Sequence, residues 1–480
     1  MTTQADFLFI KAQTIFPPIA YAYLAPHIEA QGLKVSIIDL VVDNIDENEL
    51  KDILIQRNPK YVGIKCLSYV AHLSFNAAKI VKEAIPKCLV IFGGHHATTL
   101  PRETLSNPYV DFIVRGEGEI TIAKLLSALE NNLPLDNIKG IGYKVGTQLV
   151  INEDREPIEN LDNLPLPAYN LIDMEKYFRF TAMHGMSIRY KRFMPIFTSR
   201  GCPYHCIYCN HIQGFKFRPK SPERVLEEIR LLVEKYGIKE FHIEDDTFNV
   251  DIKRAKKILG LIISLKQKLY IQFPNGLRAD IMDEELADKM KQAGTFLVCL
   301  GIETGTDRIM KLIQKTLDLK KVEAAVDILV KKRILTWGYF MLGFPSETKE
   351  EMRQTINFAK KLKLHFVSFS IVIPFPGTPL WNMIDTSKIA FDQYFRDLNY
   401  SSPKITLSEV PAQEMPLIKR RAIREFFSLW RMMRIATYIT GFGDIRFYLR
   451  KFLYRKMNMS EATGRRKNYN RFSRKRKTEF

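Results

Sequence analysis

Short apolar runs alternate with longer amphipathic stretches along the first 130 residues. Short apolar runs bounded by turn-forming residues predict β-strands, and the stretches of helical periodicity between them predict helices. The predicted strands are Phe7–Ile10, Val35–Leu40, Tyr61–Cys66, Leu89–Phe92 and Phe112–Val114, and the predicted helices lie near Ala20–Gln31, Glu47–Arg57, Leu73–Ile85, Thr98–Ser106 and Glu119–Asn131. Strands that alternate with helices pair in parallel, so this pattern predicts a doubly wound α/β sheet.

A second alternating series begins at Pro195 and contains six strands. They are predicted at Ile196–Thr198, Glu240–Ile243, Tyr270–Phe273, Phe296–Leu300, Leu335–Met341 and Phe366–Val372, with helices near Pro222–Tyr236, Ile252–Lys266, Asp283–Ala293, Lys320–Lys332 and Lys349–Leu362. Six such units with short connections favour a partial (β/α)6 barrel over a small open sheet. In a barrel of this kind, reactive groups lie at the carboxyl ends of the strands.

These patterns divide the chain into four regions. They are a doubly wound domain (1–138), a linker that contains a hairpin (139–194), a partial barrel (195–380) and a helical, strongly basic C-terminal region (381–480) with a disordered end. A chain of 480 residues exceeds what one hydrophobic core usually supports, which agrees with several domains.

The net charge of +19 is concentrated near the C-terminus. Residues 411–480 contain nineteen Lys or Arg and five Asp or Glu, a local net charge of +14, so the rest of the chain is close to neutral. The N-terminus lacks the basic and apolar segments of a signal peptide, and we find no uncharged apolar run of spanning length. We therefore expect a cytoplasmic protein, in which disulfides are rare.

Three of the six cysteines form one tight motif. Cys202, Cys206 and Cys209 follow the first strand of the second series in a C-x3-C-x2-C spacing. Three thiolates on one loop can cap three irons of a cubic [4Fe-4S] cluster and leave the fourth iron open to a small molecule. A zinc site remains an alternative, because His205 and His211 are close in sequence.

Polar residues and glycines follow the predicted strands of both series. In the first series they are Ser68, Gly93, Gly94, His95 and the run Arg115, Gly116, Glu117, Gly118, Glu119. In the second they are Glu244, Asp245, Asp246, Arg278, Glu303, Gly343 and the turn 374–379. Glycines at these ends allow backbone to approach a ligand, although they can also serve only as tight turns. The three acids could instead cap the next helix.

The cysteine motif resembles that of the radical S-adenosylmethionine (SAM) superfamily, with the aromatic Tyr208 just before its last cysteine. The first domain resembles the cobalamin-binding module fused to many members, through Pro17-Pro18, Tyr23-Leu24-Ala25, Gly93-Gly94-His95 with Thr98, and the run from Arg115 to Glu119. Two features depart from that module. Ile19-Ala20 replaces the glycine after the two prolines, and the D-x-H-x-x-G motif that supplies a histidine ligand to cobalt is absent.

The resemblance implies a role for each of these residues. The three cysteines would hold the cluster. The acids at 244–246 would bind the ammonium group of the SAM methionine, and Arg278 would bind its carboxylate. Glu303 would bind the ribose, and Tyr208 and Gly343 would border the SAM site. Cobalamin would contact Ser68, Gly93, Gly94, His95, Thr98, Gly116, Glu117 and Gly118. The other cysteines, Cys66, Cys88 and Cys299, fall in or beside strands and are predicted to be buried apolar residues.

The resemblance also implies a reaction. The leading hypothesis is a cobalamin-dependent methyltransferase, in which a 5′-deoxyadenosyl radical activates an unreactive carbon and methylcobalamin supplies the methyl group. An oxygen-independent radical cyclase of the tetrapyrrole type is the first alternative, and a cobalamin- or cluster-based sensor that binds nucleic acid is the second. The expected partners are a small-molecule substrate and a one-electron reductant such as flavodoxin or ferredoxin.

The basic C-terminal region allows three interpretations. Aromatic and basic residues interleave from Phe426 to Lys456. This segment could pack on the barrel, lie on the inner face of the membrane as a basic amphipathic helix, or contact nucleic acid. The nucleic-acid interpretation is the weakest, because no RNA-binding module accompanies the segment. A membrane role would favour a lipid, isoprenoid or tetrapyrrole substrate.

Overall fold

The computed structural model describes residues 5–180, 188–385 and 405–438, with residues 387 and 394 and the short strands Ala182–Met183 and Met186–Ser187. Two large sheets dominate the described chain, one before and one after residue 188. Both sheets are built mainly from parallel strands, which confirms the predicted α/β class.

The first sheet contains seven strands in the spatial order second, first, third, fourth, fifth, sixth, seventh. They are Phe7–Lys11, Val35–Asp39, Tyr61–Lys65, Leu89–Gly93, Phe112–Val114, Ile141–Val145 and Gln148–Ile151. The first five are parallel, and the last two extend the edge as an antiparallel hairpin. The hairpin that was assigned to the linker is therefore part of this sheet, which continues past the predicted boundary at 138.

Helices cover both faces of the first sheet. They are Ile19–Glu29, Glu47–Arg57, Ala71–Ala84, His95–Thr99, Pro101–Ser106 and Gly118–Glu130. The helix predicted at Thr98–Ser106 is in fact two helices. Leu100 leaves the helical conformation, with φ −128° and ψ 59°, because a residue that precedes proline disfavours the helical region. Because of this break, the residues after Gly94 form a separate short helix, His95–Thr99.

The second sheet has six parallel strands in sequential order, as expected for a partial barrel. They are Phe193–Ile196, Glu240–Ile243, Tyr270–Leu277, Thr295–Glu303, Leu335–Leu342 and Phe366–Ile371, and the main helices around them are Pro222–Tyr236, Ile252–Ser264, Glu284–Gln292, Asp307–Leu312, Leu319–Lys331 and Lys349–Lys361. The first strand lies about three residues earlier than predicted. Beyond it, Ser199–Arg200 pairs with Arg218–Pro219 in a short antiparallel ladder.

Side-chain alternation sorts each barrel strand into two faces. Phe241, Ile243, Val298 and Leu300 belong to one apolar cluster with the helices. Their neighbours point to the other face, where Glu240 and Gln272 surround the buried His242. Because successive residues of a strand point to opposite faces, only every second residue at a strand end can face the barrel interior.

Two helices from the basic C-terminal region, Met415–Phe426 and Leu429–Ala436, pack on the barrel. Arg431 donates hydrogen bonds to the backbone carbonyls of Lys360, Leu362 and Leu364, where the helix Lys349–Lys361 ends. These bonds satisfy carbonyls that a helix C-terminus leaves unpaired. This observation supports the packing interpretation as far as residue 438. The rest of the aromatic and basic segment, and the end predicted to be disordered, lie outside the described residues.

Among the described helices, none combines the length and the apolar character required to cross a membrane.

Candidate functional site

The cysteine loop, residues 201–217, follows the first barrel strand. The short ladder between Ser199–Arg200 and Arg218–Pro219 brings the two ends of the loop together. Gly201 has a φ of 80°, and a Cβ there would lie 2.2 Å from the carbonyl oxygen of Lys216. Only glycine fits a closure this tight. Within the loop, the amide of Cys209 donates to the carbonyl of Cys206 at 3.0 Å, which closes a turn between the last two cysteines.

The three thiols lie close enough to influence one another. Burial raises the pKa of Cys206, and burial together with the neighbouring Cys206 raises that of Cys209 to about 12. Groups that resist ionisation in this way become thiolates when metal binds them. Among the described residues, no His, Cys, Asp or Glu side chains converge as a single-ion site. A cubic cluster takes each thiolate at a different corner, and three thiols on one loop suit that geometry.

The structure separates the three acids that follow the second barrel strand. Asp245 is buried, with 2% exposure, and accepts hydrogen bonds from the amide and hydroxyl of Thr198 and the hydroxyl of Ser199. Asp246 is exposed and lies close to Cys209, and it also accepts from the amide of Gly201. Asp245 therefore anchors the start of the cysteine loop, and its predicted contact with the methionine ammonium stays a prediction. Glu244 lies two residues before Asp246, just beyond the strand Glu240–Ile243.

Glu303 and Tyr208 meet at Lys315, a residue that the sequence analysis missed. The Lys315 Nζ atom lies 3.0 Å from Glu303 Oε1 and 3.1 Å from the Tyr208 hydroxyl. Burial alone would lower the pKa of Lys315, but the Glu303 carboxylate outweighs it and raises that pKa. Glu303 reaches this position with a φ of 71°, in the left-handed region. Lys315 follows a helix rather than a strand, so no strand-end pattern indicated it.

Arg278, which is predicted to bind the methionine carboxylate, already contacts several protein groups. Its guanidinium lies 3.8 Å above the ring of Tyr204 in the cysteine loop and forms a two-point ion pair with Asp280. It also donates to the carbonyls of Lys315 and Thr316. These contacts use most of its five N–H groups. Arg278 therefore fixes the cysteine loop and the position of Lys315.

Gly343 begins the loop after the fifth barrel strand. Its φ is 102°, and a Cβ there would lie 3.0 Å from the Cε of Met415 in the first C-terminal helix. The amides of Gly343 and Phe344 both donate to one oxygen of Glu347, at 2.6 and 3.0 Å. Burial raises the pKa of Glu347 to about 7 despite these bonds. Glu347 thus holds the loop that carries Gly343.

At the carboxyl edge of the first sheet, Gly94 lies beside two basic residues, Lys65 and His95. Gly94 has a φ of 92°, and a Cβ there would lie 2.9 Å from the Cγ of Lys65. Lys65 and His95 are both exposed, yet protein surrounds them closely, so burial lowers the pKa of each, that of His95 to about 4. Both side chains lie at the surface beside Gly94, and we call this part of the carboxyl edge the cleft. Lys65 is the last residue of its strand, so its position was visible in the sequence.

The other residues predicted to bind cobalamin lie near this cleft with varied partners. Thr98 donates to the carbonyl of Gly94 and accepts from the amide of Gly116, so these three residues are connected. Ser68 is buried against His96 at 3.1 Å. Gly93 ends its strand, and a Cβ at Gly118 would lie 3.0 Å from Leu24. Glu117 instead forms an ion pair with Arg218 of the barrel region, at 2.6 Å.

The three remaining cysteines are buried, with 0%, 3% and 0% exposure for Cys66, Cys88 and Cys299. Burial confirms the prediction that they are apolar residues of the core.

The carboxyl edges of the two sheets meet at one corner. A Cβ on Gly377, in the turn after the last barrel strand, would lie 2.7 Å from the Cγ2 of Thr99 in the first domain. Asn210, next to Cys209, donates to the carbonyl of Pro376 in the same turn, at 3.2 Å. The cysteine loop, the turn 374–379 and the helix His95–Thr99 therefore border the same cleft.

Comparison with known proteins agrees with this arrangement. A model of the Radical SAM superfamily matches residues 196–359, and a model of the B12 binding domain matches residues 5–126. An uncharacterized methyltransferase of Pyrococcus horikoshii is 32% identical over 418 residues, which cover 86% of this chain and 88% of the relative. The chain belongs to the cobalamin-binding radical SAM family. It is therefore an enzyme whose cofactors are a [4Fe-4S] cluster, SAM and cobalamin.

Two further comparisons place this cobalamin-binding radical SAM enzyme among its relatives. The anaerobic magnesium-protoporphyrin IX monomethyl ester cyclase of Rubrivivax gelatinosus is 26% identical, over 81% of this chain and 69% of that protein. The solved structure of the radical SAM methyltransferase TsrM from Kitasatospora setae, with cobalamin and a [4Fe-4S] cluster bound, superposes with a TM-score of 0.67 at 21% identity, over 78% of this chain and 76% of TsrM. The second similarity concerns the fold.

The residues of the two edges suit the cofactors of the family. Three mutually close thiols on one loop form the donor set that a cluster with one open iron requires. At the cleft, Gly94 packs tightly against Lys65 and Cys66, which leaves no room for a side chain, and the neutral imidazole of His95 lies next to it. A large macrocycle with amide side chains can lie against such a surface.

Proposed function

We propose that this enzyme methylates an unactivated carbon of a small-molecule substrate. The observation that carries the proposal is the shared cleft, in which Asn210 of the cysteine loop and Thr99 of the cobalamin domain both contact the turn 374–379. When bound, the cofactors would supply one-electron cleavage of SAM and a methyl group carried on cobalt. A methyl donor next to a source of radicals suits the transfer of a methyl group to a carbon radical. The Pyrococcus horikoshii relative is also named a methyltransferase.

The residues of the barrel edge would bind and orient SAM. Asp246 is exposed and lies close to Cys209, where its carboxylate can attract the methionine ammonium, and Glu244 lies two residues before it, just beyond the strand Glu240–Ile243. Glu303, held by Lys315, can accept hydrogen bonds from the ribose hydroxyls. Gly343, in the loop that Glu347 holds, would border the adenine. In the other domain, Gly94, His95, Thr98 and Gly116 would contact cobalamin.

Anaerobic turnover tests the proposal. The reconstituted enzyme would be incubated with SAM, a reductant and added cobalamin, and both 5′-deoxyadenosine and methyl transfer from SAM to cobalamin would be measured. We expect both products from the wild type and no 5′-deoxyadenosine from Cys206→Ala. Cleavage of SAM without methyl transfer to cobalamin would contradict a methyltransferase, and the absence of 5′-deoxyadenosine from the wild type would favour the sensor hypothesis.

A radical cyclase is the second candidate, because the Rubrivivax gelatinosus relative is named a cyclase and aligns over 81% of this chain. Product mass separates the two reactions. Methylation adds one methylene to the substrate, whereas ring formation removes hydrogens. A tetrapyrrole substrate that loses mass in the assay would replace the methyltransferase proposal.

We also propose a cytoplasmic setting and a flavodoxin or ferredoxin as the electron donor. These partners follow from the need of the cluster for single electrons. Purified flavodoxin with its reductase should support 5′-deoxyadenosine formation in place of dithionite. Failure of both flavodoxin and ferredoxin would contradict this choice of donor.

Contact between the basic C-terminal region and a membrane surface stays a prediction for residues 439–480. Flotation with anionic liposomes tests it, with the full chain compared with a chain that ends at residue 438. The truncation point keeps the helices that pack on the barrel. Equal flotation of both chains would rule out the tail as a membrane contact and would remove the reason to favour a lipid, isoprenoid or tetrapyrrole substrate.

A further inference from the structure

Four charged side chains meet where the cobalamin domain contacts the base of the cysteine loop. Glu117 forms a two-point ion pair with Arg218, at 2.6 and 3.0 Å, and lies 3.4 Å from Arg200, which also pairs with Glu119. The exposed fractions of these side chains are 10%, 1%, 13% and 6% for Glu117, Arg218, Arg200 and Glu119. We name this group the neck cluster.

The two arginines of the neck cluster are direct cross-strand partners. Arg200 faces Arg218 in the short ladder that closes the cysteine loop. Like charges opposite each other in a ladder repel and destabilise the pairing. Glu117 and Glu119, both from the cobalamin domain, supply the opposite charge. The ladder that closes the cysteine loop therefore depends on acids from another domain.

The contacts of Arg218 extend into the loop itself. Its guanidinium donates to the carbonyl of Gln213 inside the cysteine loop and to that of Ile158 in the connecting segment, both at 2.7 Å. The amide of Ile158 in turn donates to Glu117 at 2.7 Å. Burial would raise the pKa of Glu117, but Arg218 and Arg200 hold it below its usual range, so the carboxylate is charged at neutral pH.

On its other side, Glu117 adjoins the cobalamin cleft. The amide of Gly116, the preceding residue, donates to the Thr98 hydroxyl at 3.0 Å, and that hydroxyl donates to the carbonyl of Gly94 at 2.9 Å. Gly94 precedes His95, which faces the cleft. A chain of direct contacts thus runs from the cobalamin cleft through Glu117 to the loop that carries the three cysteines.

We propose that Glu117 is a positioning residue that couples the two cofactor sites, so that the loaded cysteine loop and bound cobalamin each strengthen the binding of the other through the neck cluster. Coupling between two sites is reciprocal and is measured as a ratio of affinities. The inference rests on the cofactors of the family and not on the proposed reaction, since its test involves no substrate and no turnover.

The test compares the affinity for hydroxocobalamin of two forms of the full chain, one reconstituted with iron and sulfide and one free of iron. Quenching of tryptophan fluorescence reports binding in both forms. In the wild type we expect the cluster to increase the affinity by about fivefold or more, which is the lower end of typical coupling. In Glu117→Gln the ratio should fall to about one, because the neutral amide no longer balances the two arginines.

Glu159→Gln is the matched control. Glu159 pairs with Lys216 of the same loop, but both side chains are about two-thirds exposed, so the pair contributes little. The control should keep the wild-type ratio. The proposal would be overturned if the cluster did not change the cobalamin affinity of the wild type, or if Glu117→Gln kept the wild-type ratio of affinities.

A second readout separates coupling from a general loss of structure. The electron paramagnetic resonance spectrum of the reduced cluster should change on addition of cobalamin in the wild type and in Glu159→Gln, and should stay unchanged in Glu117→Gln. If circular dichroism shows that Glu117→Gln does not fold, Arg200→Gln takes its place. If neither variant folds, the proposal is overturned, because the neck cluster would then serve folding alone.

Discussion

The carboxyl edges of the barrel and of the first sheet differ in how their charged side chains are partnered. At the barrel edge, Lys315 is held by Glu303 and Arg278 by Asp280. At the edge of the first sheet, Lys11 pairs with the buried Asp39, but Lys65, which lies beside His95 and Gly94, forms no ion pair among the described residues.

The difference matches the cofactors that the two edges serve. SAM is small and carries an ammonium, a carboxylate and a sulfonium, so groups fixed in advance by ion pairs can recognise it with little loss of freedom. Cobalamin is large, and close approach of the backbone suits it better than a set of fixed charges. We therefore expect the barrel edge to be sensitive to the loss of a charge and the sheet edge to be sensitive to the addition of bulk.

Loss of a cluster ligand should have the largest effect. Cys206→Ala removes one of three thiols, so we expect almost no bound iron and no 5′-deoxyadenosine, while cobalamin still binds. Iron analysis and product chromatography measure both outcomes. Cys88→Ala is the control, because Cys88 is buried in the first sheet and should leave the iron content unchanged. Full iron in Cys206→Ala would show that the loop does not hold the cluster.

Added bulk at the sheet edge should be nearly as damaging. Gly94→Ala places a Cβ 2.9 Å from Lys65 and 3.1 Å from the carbonyl of Cys66, at a φ of 92°. Displacement of these groups should weaken cobalamin binding by about a hundredfold, the upper range for overpacking, and leave the iron content intact.

The control for that variant isolates backbone strain. Gly32→Ala has a similar φ of 80° but no atom within 4 Å of the added Cβ. Titration with hydroxocobalamin should give wild-type affinity for Gly32→Ala. Equal losses in the two variants would mean that strain, and not the shape of the cleft, explains the effect.

The pH dependence of stability tests the loop that carries Gly343. The pKa of Glu347 is raised to about 7, so burial of its protonated form favours folding at low pH, and this advantage disappears as pH rises through 7. Between pH 5 and 8 we expect the free energy of unfolding to fall by about 2 kcal/mol from this group. Glu347→Gln should remove this slope in denaturant titrations, whereas the exposed Glu350→Gln should keep it. A slope that survives in Glu347→Gln would assign it to another group.

Loss of one charge at the barrel edge should have a smaller but selective effect. Lys315→Met releases Glu303 and Tyr208, so SAM affinity should fall about tenfold, a loss near 1.4 kcal/mol, with cobalamin affinity unchanged. Equilibrium dialysis with SAM measures the first, and Lys311→Met, an exposed lysine on the preceding helix, is the control. Equal losses for both cofactors would remove the contrast between the two edges.

Apolar periodicity in the sequence was sufficient to predict the parallel strands of both sheets, and the cysteine spacing indicated the loop after the first barrel strand. Most strands lie within a residue or two of their predicted bounds, because buried parallel strands are marked by short apolar runs. The hairpin Ile141–Val145 and Gln148–Ile151 was placed correctly in sequence but not in space. Its pairing with the edge of the first sheet depends on contacts that no local pattern records.

The site was less predictable than the fold. Strand alternation does not separate Asp245 from Asp246, because both lie beyond the strand Glu240–Ile243, and the burial of Asp245 against Thr198 and Ser199 is a tertiary contact. Lys315 could not have been found in this way, because its role arises from contact with Glu303, twelve residues earlier, and with Tyr208 on another loop. The ion pair between Arg278 and Asp280 is likewise a contact that the strand-end pattern did not indicate.

The backbone conformation of Glu303 is unfavourable for stability, although its side chain is proposed to bind SAM. A φ of 71° costs a non-glycine residue roughly 1 kcal/mol or more, so glycine would relax the chain at the end of this strand. Glycine would also delete the carboxylate that Lys315 holds. Thermostabilisation of this enzyme by removal of strained residues should therefore spare position 303, where a more stable protein would be a poorer catalyst.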